Sequence, residues 1–365
     1  MTAELTRGLD IGPLWCPIEL KEKPDAQKYQ AASEKFFEAC GFDAQSLRTT
    51  KAMGTGRLAS YYAPEGDEEG VQLLSDWLMW ALLFDDAYCD DGDIARDPSR
   101  FGYVAASMMT RCLNPRELSA GDDTLRGFEM SLQDIFSRVE ARSGYLVASA
   151  IGLEHFQWMV GAYCGVSDRV SSHLRNLDEH LIVRPMDGGN ASSLYFTQVA
   201  SRRWLNADYT SMRAVRAITH ASIVLLTVPT DIASYGWERH QRSLESNIVA
   251  IIANERGCSI PEAIDHSRHF VEQIMQVFLD LKAQLVRLGD PELDGYLEDM
   301  SNIVRGTLEW QRLLPRYILS PQQIADVGDN GFDVQPIHEV SHDRSFTTPF
   351  PRPKSIQWYW DALDE

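Results

Sequence analysis

A cluster of acidic residues directly follows one of the most apolar segments of the chain. The segment VQLLSDWLMWALLF is followed by DDAYCDD, which contains Asp85, Asp86 and Asp90. In an α-helix, Asp86 and Asp90 lie four residues apart and share a face, with Asp85 beside them. Carboxylates crowded at the end of a buried helix repel one another unless a cation is present, and magnesium prefers oxygen ligands. The spacing therefore predicts a magnesium site, and a solvated acidic helix end is the alternative interpretation.

A second set of oxygen donors lies in the segment TDIASYGWE. Thr230, Ser234 and Glu238 follow one another at intervals of four residues and form one polar stripe on a helix. The preceding segment, ASIVLLTVP, is almost wholly apolar, so this stripe also begins at the end of a buried helix. Two hydroxyls and a carboxylate can bind one hard cation. Taken alone, such a stripe is common, and a solvated surface is the simpler interpretation.

Two further segments contain groups that can bind an anion. In LIVRPMDGG, Arg184 and Asp187 lie beside a proline and two glycines, which predicts a helix break with accessible backbone groups. An arginine at such a break is suited to bidentate binding of phosphate. Arg316 and Tyr317 form an adjacent pair of donors after the helix that contains Trp310. Each segment alone is also compatible with an ordinary turn.

The elements that must hold these residues are helical. Long segments with an apolar stripe and few Gly or Pro are 71–88, 145–165, 211–228, 268–288 and 297–314. Runs of alternating β-branched residues and repeats of about 20 to 50 residues are missing from the sequence. The sequence predicts an all-α fold with one domain over residues 1–320. Residues 321–365, rich in proline and then in aromatic and acidic residues, are predicted to form a tail or a lid.

Composition and charge narrow the class of protein. Of the 365 residues, 44% are hydrophobic and 24% are charged, which is typical of a globular protein with a sizeable core. The formal net charge of −19 argues against nucleic acid or anionic lipid as a partner, because both require a basic face. An anionic substrate would therefore have to be bound by metal ions or by local arginines.

Other features bear on location. The longest apolar runs, 77–84 and 223–229, are much shorter than the ~18 residues of a membrane span. The N-terminus carries early charges and lacks the apolar core of a secretory signal, which favours a cytoplasmic protein. The six cysteines are scattered without a CxxC pair, so we expect reduced thiols.

Taken together, in this order and at these separations, the motifs resemble those of bacterial-type class I terpene synthases. FDDAYCDD resembles the aspartate-rich motif of that family in its DDxxxD form, and TDIASYGWE resembles its second metal motif, NDxxSxxxE. Arg184, Asp187 and Gly188 match the diphosphate-sensing arginine, the linker residue and the helix-break effector of the family. Arg316 and Tyr317 match its RY pair near the C-terminus.

The resemblance spans residues 15–320 and implies a fold and a reaction. The implied fold is a single α-helical barrel in which the two metal motifs face each other across the mouth of an apolar cavity. The implied reaction is magnesium-dependent ionisation of a linear isoprenoid diphosphate, cyclisation of the carbocation and release of diphosphate. Farnesyl diphosphate is the expected substrate, with geranylgeranyl diphosphate as the alternative. A homodimer would be common for such a family.

The resemblance also implies roles for individual residues, with three magnesium ions as the expected cofactor. The implied ligands of magnesium are Asp85, Asp86, Asp90, Thr230, Ser234 and Glu238. The implied diphosphate-binding residues are Arg184, Arg239, Arg316 and Tyr317. Asp187 and Gly188 complete the catalytic set, with Gly188 at the helix break presenting a carbonyl group to the cation.

Aromatic residues are candidates for the cavity wall, because aromatic faces stabilise cations and a carbocation needs a dry site. The candidates are Trp80, Phe84, Phe156, Trp158 and Trp310, with plain core packing as the alternative for each.

Two residues depart from the family pattern. Thr230 stands where the family usually has Asn, and Trp237 stands where a basic residue often precedes the glutamate. A threonine hydroxyl can still bind magnesium, and Arg239 is the candidate to replace the missing positive charge. A weakened second site would instead leave a protein that binds isoprenoid diphosphates without turning them over. A prenyl chain-elongating enzyme, which should carry a second aspartate-rich motif, and a helical interaction module also stay open.

Overall fold

Helices make up nearly all of the regular structure that the computed structural model describes, which covers residues 11–43, 53–90, 92–115, 125–313 and 339–363. The helices are α1 (Ala26–Ala39), α2 (Thr55–Tyr62), α3 (Glu68–Phe84), α4 (Pro98–Leu113), α5 (Arg126–Ser143), α6 (Tyr145–Ser171), α7 (Leu177–Asp187), α8 (Asn190–Ser201), α9 (Ala207–Ser211), α10 (Arg213–Gln241), α11 (Ile248–Arg256), α12 (Ile260–Val286), α13 (Pro291–Leu313) and α14 (Trp358–Asp361). A π-helical turn, Asp85–Asp90, continues α3. Two short strands, β1 (Leu14–Trp15) and β2 (Val340–Ser341), pair in parallel.

Local sequence signals fix where the functional helices begin. The Asp67 carboxylate accepts a hydrogen bond from the Gly70 amide at 2.8 Å and caps α3. Asn176 and Glu179 form a reciprocal capping box at the start of α7, with both bonds at 2.9 Å. Such caps satisfy amide groups that have no partner inside the helix. Side chains at the N-terminal ends of α3 and α7 therefore cap the two helices that lead to the acidic cluster and to the helix break.

The apolar helix α10 lies at the centre of the bundle, where it packs along α12 and α13. Within the described ranges, α10 is the one helix with the length and composition of a membrane span, and 83% of its most apolar 18-residue window is buried inside the protein. Such burial is typical of the core helix of a helical bundle. On the other side of the core, α3 packs against α2 and α8, and α6 packs between α4 and α7.

Residues 339–363, the C-terminal segment, pack on the outside of the bundle. The Glu272 carboxylate on α12 accepts hydrogen bonds from the Ser345 and Phe346 amides at 2.9 and 3.2 Å. At the start of α7, Asp178 accepts from the Ser355 amide at 2.8 Å. This part of the predicted tail or lid is therefore bound to both α7 and α12.

The all-α prediction is confirmed, and the five helical segments predicted from the sequence all lie within or across observed helices. Two local differences have physical causes. The predicted helix 71–88 changes to π-helix at Asp85. The predicted helix 211–228 continues through Pro229 to Gln241. A proline removes one backbone donor, and the buried residues on both sides of Pro229 supply enough packing for the helix to continue.

Candidate active site

A cavity opens between α2, α3, α6, α7, α8, α10 and α13. Along α3 and its π-turn, the lining changes from Trp77 to Asp85 and Asp90. Along α10, it changes from Leu226 to Glu238. On both of these walls an apolar part thus leads into an acidic part, and the two acidic parts belong to one cavity.

The π-turn decides which of the acidic residues reach the cavity. Asp85 and Asp90 both line it, whereas Asp86 is not among the described lining residues. Hydrogen bonds in a π-helix join residues five apart, so Asp85 and Asp90 lie one above the other. The α-helical spacing assumed from the sequence pairs Asp86 with Asp90 instead. The wider π-helical turn is the physical reason for the difference.

Arg169 on α6 holds the end of this turn and lines the cavity, a role that no motif in the sequence indicated. Its guanidinium donates to the carbonyl groups of Cys89 and Ala95 at 2.8 and 2.9 Å. It also forms an ion pair with Glu245, at 2.6 Å. Burial, and then the nearby aspartates of the turn, raise the pKa of the Cys89 thiol well above its usual value. Cys89 is thus a neutral packing residue at this wall.

On the α10 wall, Glu238 is enclosed by donors. The Ser234 hydroxyl donates to its carboxylate, and the Asn247 amide donates to the other oxygen at 2.9 Å. Burial, and then the neighbouring Asp231, raise the pKa of Glu238 to about 8. A buried carboxyl group in this position is stabilised either by a proton or by a nearby cation.

Thr230 lies one turn before Ser234 and also lines the cavity. Its hydroxyl donates to the Leu226 carbonyl at 2.8 Å and accepts a hydrogen bond from the Gln311 side chain on α13. A hydroxyl oxygen has two lone pairs, so one remains for a ligand after these two bonds. Gln311 is a further residue that the sequence motifs did not indicate.

The predicted helix break lies between α7 and α8, where Gly188 and Gly189 join the two helices. Gly189 has φ +65°, a left-handed conformation that favours glycine. The backbone of α6 passes so close that a Cβ on Gly161 would lie 2.4 Å from the Asp187 nitrogen. Arg184, Asp187 and Gly188 all line the cavity at this break.

Arg184 is held by two buried carboxylates. Its Nε and Nη2 atoms donate to Asp231 Oδ1 at 2.8 and 2.6 Å, and its Nη1 atom donates to Asp187 Oδ1 at 2.6 Å. Burial alone would lower the pKa of Arg184, but Asp231 and Asp187 raise it well above its usual value. A guanidinium has five N–H groups, so within the described residues two remain for a ligand.

Asp231 and Arg175 complete this network. Asp231 is the second residue of the TDIASYGWE motif, but the sequence assigned no role to either residue. Asp231 is fully buried and also accepts hydrogen bonds from His180 Nε2 and the Ile248 amide, both at 3.1 Å. Its burial opposes ionisation, but Arg184 and then His180 lower its pKa below the usual value. Arg175 donates to the second oxygen of Asp187 at 3.2 Å. The break is therefore positioned by a chain of buried ion pairs.

The aromatic candidates divide between the cavity and the core. Trp310 lines the cavity, and its indole nitrogen donates to the Met53 carbonyl at 2.7 Å. Trp80 and Phe84 are fully buried and stack on each other, with ring centroids 4.8 Å apart. The prediction that they face the substrate therefore needs correction, because both rings point into an aromatic cluster beside the cavity. Trp77, on the same helix, lines the cavity instead.

The remaining candidates lie away from the cavity lining or outside the described residues. Trp158 is buried against Gly189, and Phe156 is 52% exposed on the outer side of α6. Arg239 is partly buried next to Glu238 and is not among the described lining residues. Arg316 and Tyr317 fall in 314–338, outside the described part of the chain.

The residues present fit magnesium. Within the described ranges, no three His, Cys, Asp or Glu side chains cluster closely enough to bind a metal ion by themselves. Magnesium is commonly bound by one or two carboxylates together with substrate phosphates. Asp85 and Asp90 on one wall, and Ser234 and Glu238 on the other, provide such an oxygen-only donor set. The donors are divided between the walls, so a bound phosphate would complete the coordination.

Residues 76–276 match the family model "Terpene synthase family 2, C-terminal metal binding". The chain is 22% identical to spiroviolene synthase of Streptomyces violens, over 97% of each chain. It is 25% identical to (+)-(1(10)E,4E,6S,7R)-germacradien-6-ol synthase of Streptomyces pratensis, over 97% of this chain and 98% of the relative. It is 22% identical to 4-epi-cubebol synthase ((2E,6E)-farnesyl diphosphate cyclizing) of Streptosporangium roseum, over 87% and 94% of the two chains.

Solved structures share the fold. The crystal structure of the SVS_A2 protein from ancestral sequence reconstruction has a TM-score of 0.79 at 23% identity, and covers 96% of this chain and 99% of its own. Wild-type cucumene synthase has a TM-score of 0.70 at 17% identity, covering 81% and 98%.

Proposed function

The chain belongs to terpene synthase family 2, and from that premise we propose that it ionises and cyclises farnesyl diphosphate between α3 and α10, with release of diphosphate. The observation that carries this proposal is the change from apolar residues to oxygen donors along both walls of one cavity. A linear isoprenoid diphosphate has the same two parts, a hydrocarbon chain and an anionic head. Each part of the substrate would therefore meet a matching part of the cavity.

The anionic head is assigned to the acidic end of the cavity. The two N–H groups of Arg184 that remain after its bonds to Asp231 and Asp187 would bind diphosphate oxygens. Three magnesium ions, bound by Asp85, Asp90, Ser234 and Glu238 with Thr230 as a further donor, would supply Lewis-acid stabilisation of the charge on the leaving diphosphate. Without that neutralisation, the acidic residues would repel the substrate.

The apolar end would receive the hydrocarbon chain and exclude water. The lining residues there include Leu58, Leu78 and Leu226, together with the aromatic rings of Trp77 and Trp310. A carbocation reacts with water unless the site is dry, and aromatic faces stabilise it by their negative charge density. The shape of this part would select how the chain folds, and thus which product forms.

The chain length of the substrate is the finer part of the proposal. The 4-epi-cubebol synthase is named as cyclizing (2E,6E)-farnesyl diphosphate, which supports a C15 substrate for this chain. Geranylgeranyl diphosphate is the competing substrate. A cytoplasmic location is likewise proposed. A homodimeric state is proposed as well.

The test is incubation of the purified full chain with Mg²⁺ and geranyl, farnesyl or geranylgeranyl diphosphate, followed by gas chromatography and mass spectrometry. We expect a cyclic product from farnesyl diphosphate that disappears with EDTA. A cyclic product from geranylgeranyl diphosphate alone would correct the chain length. Binding of farnesyl diphosphate without diphosphate release, by folded protein, would replace catalysis by a binding function.

A further inference from the structure

Two buried hydroxyl groups lie in the wall of the cavity, away from its acidic end. Tyr62 on α2 and Thr307 on α13 both line the cavity, and their side-chain oxygens are 2.7 Å apart. The two residues are 2% and 3% exposed, so both are shielded from bulk solvent. Their neighbours in the lining include Leu58, one turn before Tyr62, and Trp310, close to one turn after Thr307. Tyr62 and Thr307, the hydroxyl pair, are thus polar groups among apolar and aromatic ones.

The contacts between α13 and α10 place the hydroxyl pair along the cavity. Gln311 on α13 donates to Thr230 on α10, and earlier residues of α13 contact earlier residues of α10, so the two helices run parallel. One turn earlier on each helix, Thr307 is level with Leu226, which belongs to the apolar part of the lining. Four residues of an α-helix advance ~6 Å. The pair therefore lies about 6 Å from the level of Thr230, inside the part assigned to the hydrocarbon chain.

The hydrogen atoms of the hydroxyl pair are both used within the protein. The Thr307 hydroxyl donates to the Ile303 carbonyl at 2.9 Å, so its oxygen accepts the hydrogen bond from Tyr62. Burial raises the pKa of Tyr62 above its usual value, so the phenol keeps the proton that it donates. A hydroxyl oxygen has two lone pairs. Within the described residues, two lone pairs on Tyr62 and one on Thr307 are left without a donor.

Two adjacent acceptors without a free hydrogen determine how a water molecule binds to them. A buried water needs at least two polar partners, and the hydroxyl pair provides two. Such a water donates one hydrogen to each oxygen, which turns its own lone pairs away from the wall and into the cavity. A free hydroxyl hydrogen would instead hold the water by its oxygen. The bonding pattern thus presents the nucleophilic side of the water to a molecule in the cavity.

We propose that Tyr62 and Thr307 bind a water molecule that adds to the carbocation, so that the product is a cyclic terpene alcohol. This inference rests on the proposed function, because ionisation of the diphosphate must supply the cation. A lone pair of the water forms the new C–O bond, and the resulting oxonium loses one proton to the released diphosphate. The remaining apolar lining excludes other water, so addition is limited to the carbon that lies beside the pair.

The experiment is turnover of the purified full chain with Mg²⁺ in water enriched in oxygen-18, using farnesyl and, in parallel, geranylgeranyl diphosphate. Mass spectrometry of the wild-type products should show a cyclic alcohol that carries the label. Tyr62→Phe removes one acceptor of the water, and the ratio of alcohol to hydrocarbon should fall about tenfold or more. Release of diphosphate should change much less, because ionisation takes place at the acidic end.

Further variants separate water binding from a structural role. Thr307→Ser keeps the hydroxyl and should retain the alcohol, whereas Thr307→Val leaves the Tyr62 hydrogen without its acceptor and should lower the alcohol fraction. Tyr61→Phe is the matched control, since Tyr61 is also buried but is not among the described lining residues. An equal loss of alcohol in Tyr61→Phe and Tyr62→Phe would overturn the proposal, because packing of α2 would then explain both.

The remaining outcomes distinguish failure of this inference from failure of the proposed function. A cyclic hydrocarbon without a labelled alcohol, made by the wild type, overturns the inference and leaves the proposed function standing. A labelled cyclic alcohol whose ratio to hydrocarbon is unchanged in Tyr62→Phe shows that the water is bound elsewhere, and also overturns it. Absence of both product and diphosphate release overturns the proposed function, and this inference with it.

Discussion

Asp85 and Asp90 after α3 and Glu238 on α10 line the same cavity, but the acidic residues of the two walls differ in how much protein surrounds them. Asp90 is exposed and Asp85 partly buried on the π-turn at the end of α3. On α10, Asp231 is fully buried and Glu238 accepts hydrogen bonds from two side chains. The wall after α3 therefore presents carboxylates near solvent, whereas the wall on α10 is built into the core.

This difference in burial indicates that the two walls contribute differently to folding and to turnover. In a preorganised site the functional groups are ordered when the protein folds, so they need no reorganisation where charge develops during the reaction. The α10 wall and the helix break form such a site, because Arg184, Asp231 and Asp187 fix one another. The π-turn depends on Arg169 for its position, and its carboxylates lie nearer to solvent. Changes on α10 should thus affect both folding and turnover, and changes on the π-turn mainly turnover.

The largest expected effect is on turnover, and it applies to both walls. Asp85→Asn and Glu238→Gln each remove a carboxylate from the donor set, and we expect each to lower kcat/KM about a thousandfold. The measurement is product formation at saturating Mg²⁺. A loss of less than tenfold in either variant would show that its wall contributes little to ionisation.

The same two variants separate the walls by their stability. The folded-state pKa of Glu238 is raised to about 8, so the native state favours the protonated side chain and loses stability as pH rises through that value. Magnesium-free Glu238→Gln should therefore be more stable than wild type above pH ~8, and the advantage should vanish below pH ~4.5. Thermal unfolding over this pH range tests it. Asp85→Asn, measured in the same way, provides the comparison for the other wall.

The next largest effect is a loss of stability on the α10 side alone. Asp231→Asn removes the charge of the fully buried Asp231 and leaves Arg184 with one carboxylate partner, and breaking a buried ion pair costs roughly 3–5 kcal/mol of unfolding free energy. Asp90→Asn, on the exposed turn, should cost less than about 1 kcal/mol. Urea denaturation of both variants compares them directly. Equal losses would mean that the two walls are built alike.

A smaller effect is expected at the contact between α6 and the helix break. Gly161→Ala places a methyl group 2.4 Å from the Asp187 nitrogen, so the break must shift, at a cost of roughly 1–3 kcal/mol. Gly165→Ala, one turn later, meets its nearest neighbour at 3.7 Å and serves as the control for stability. If Gly161→Ala unfolds at the same urea concentration as the control, the break is not held by this contact.

The sequence predicted the helices and the types of residue that could bind metal and phosphate, but not the features that depend on tertiary contacts. The apolar stripes predicted α3, α6, α10, α12 and α13, because burial of one face dictates helical periodicity. Because the helix changes to π-helix at Asp85, Asp86 does not line the cavity. The amino-acid composition of the segment does not reveal the additional residue in a π-helical turn.

For Asp231, the sequence indicates a buried ion pair but does not identify its partners. A charged residue in an apolar segment signals a buried pair. Its partners, Arg184 and His180, lie 47 and 51 residues away in the chain, so only the folded structure identifies them. Among the aromatic candidates, Trp310 lines the cavity and Trp80 does not. Trp77 and Trp80 are both buried on α3, and only packing decides that Trp77 is the one that lines the cavity.

The smallest predicted effect concerns Gln311, through which α13 supports the α10 wall. Gln311 is fully buried and donates to the Thr230 hydroxyl, while its Oε1 atom has no hydrogen-bond partner among the described residues. Gln311→Leu removes both the donor and this unsatisfied oxygen, so the unfolding free energy should change by less than about 1 kcal/mol. Turnover should fall roughly tenfold, with a higher Mg²⁺ requirement, because the Thr230 oxygen is no longer fixed toward the cavity.

A double-mutant cycle with Thr230→Val decides whether Gln311 acts through Thr230. If it does, Gln311→Leu has no further effect on turnover or on the Mg²⁺ requirement once the hydroxyl is gone, and the two losses do not add. Additive losses would mean that Gln311 supports the cavity by packing alone. Thr230→Asn provides the converse comparison, since an amide oxygen at this position would not need the same donor to be oriented. Turnover by Thr230→Asn should then be less sensitive to Gln311→Leu than turnover by the wild type. That result would show that Thr230, which departs from the family pattern, and the buried Gln311 act together.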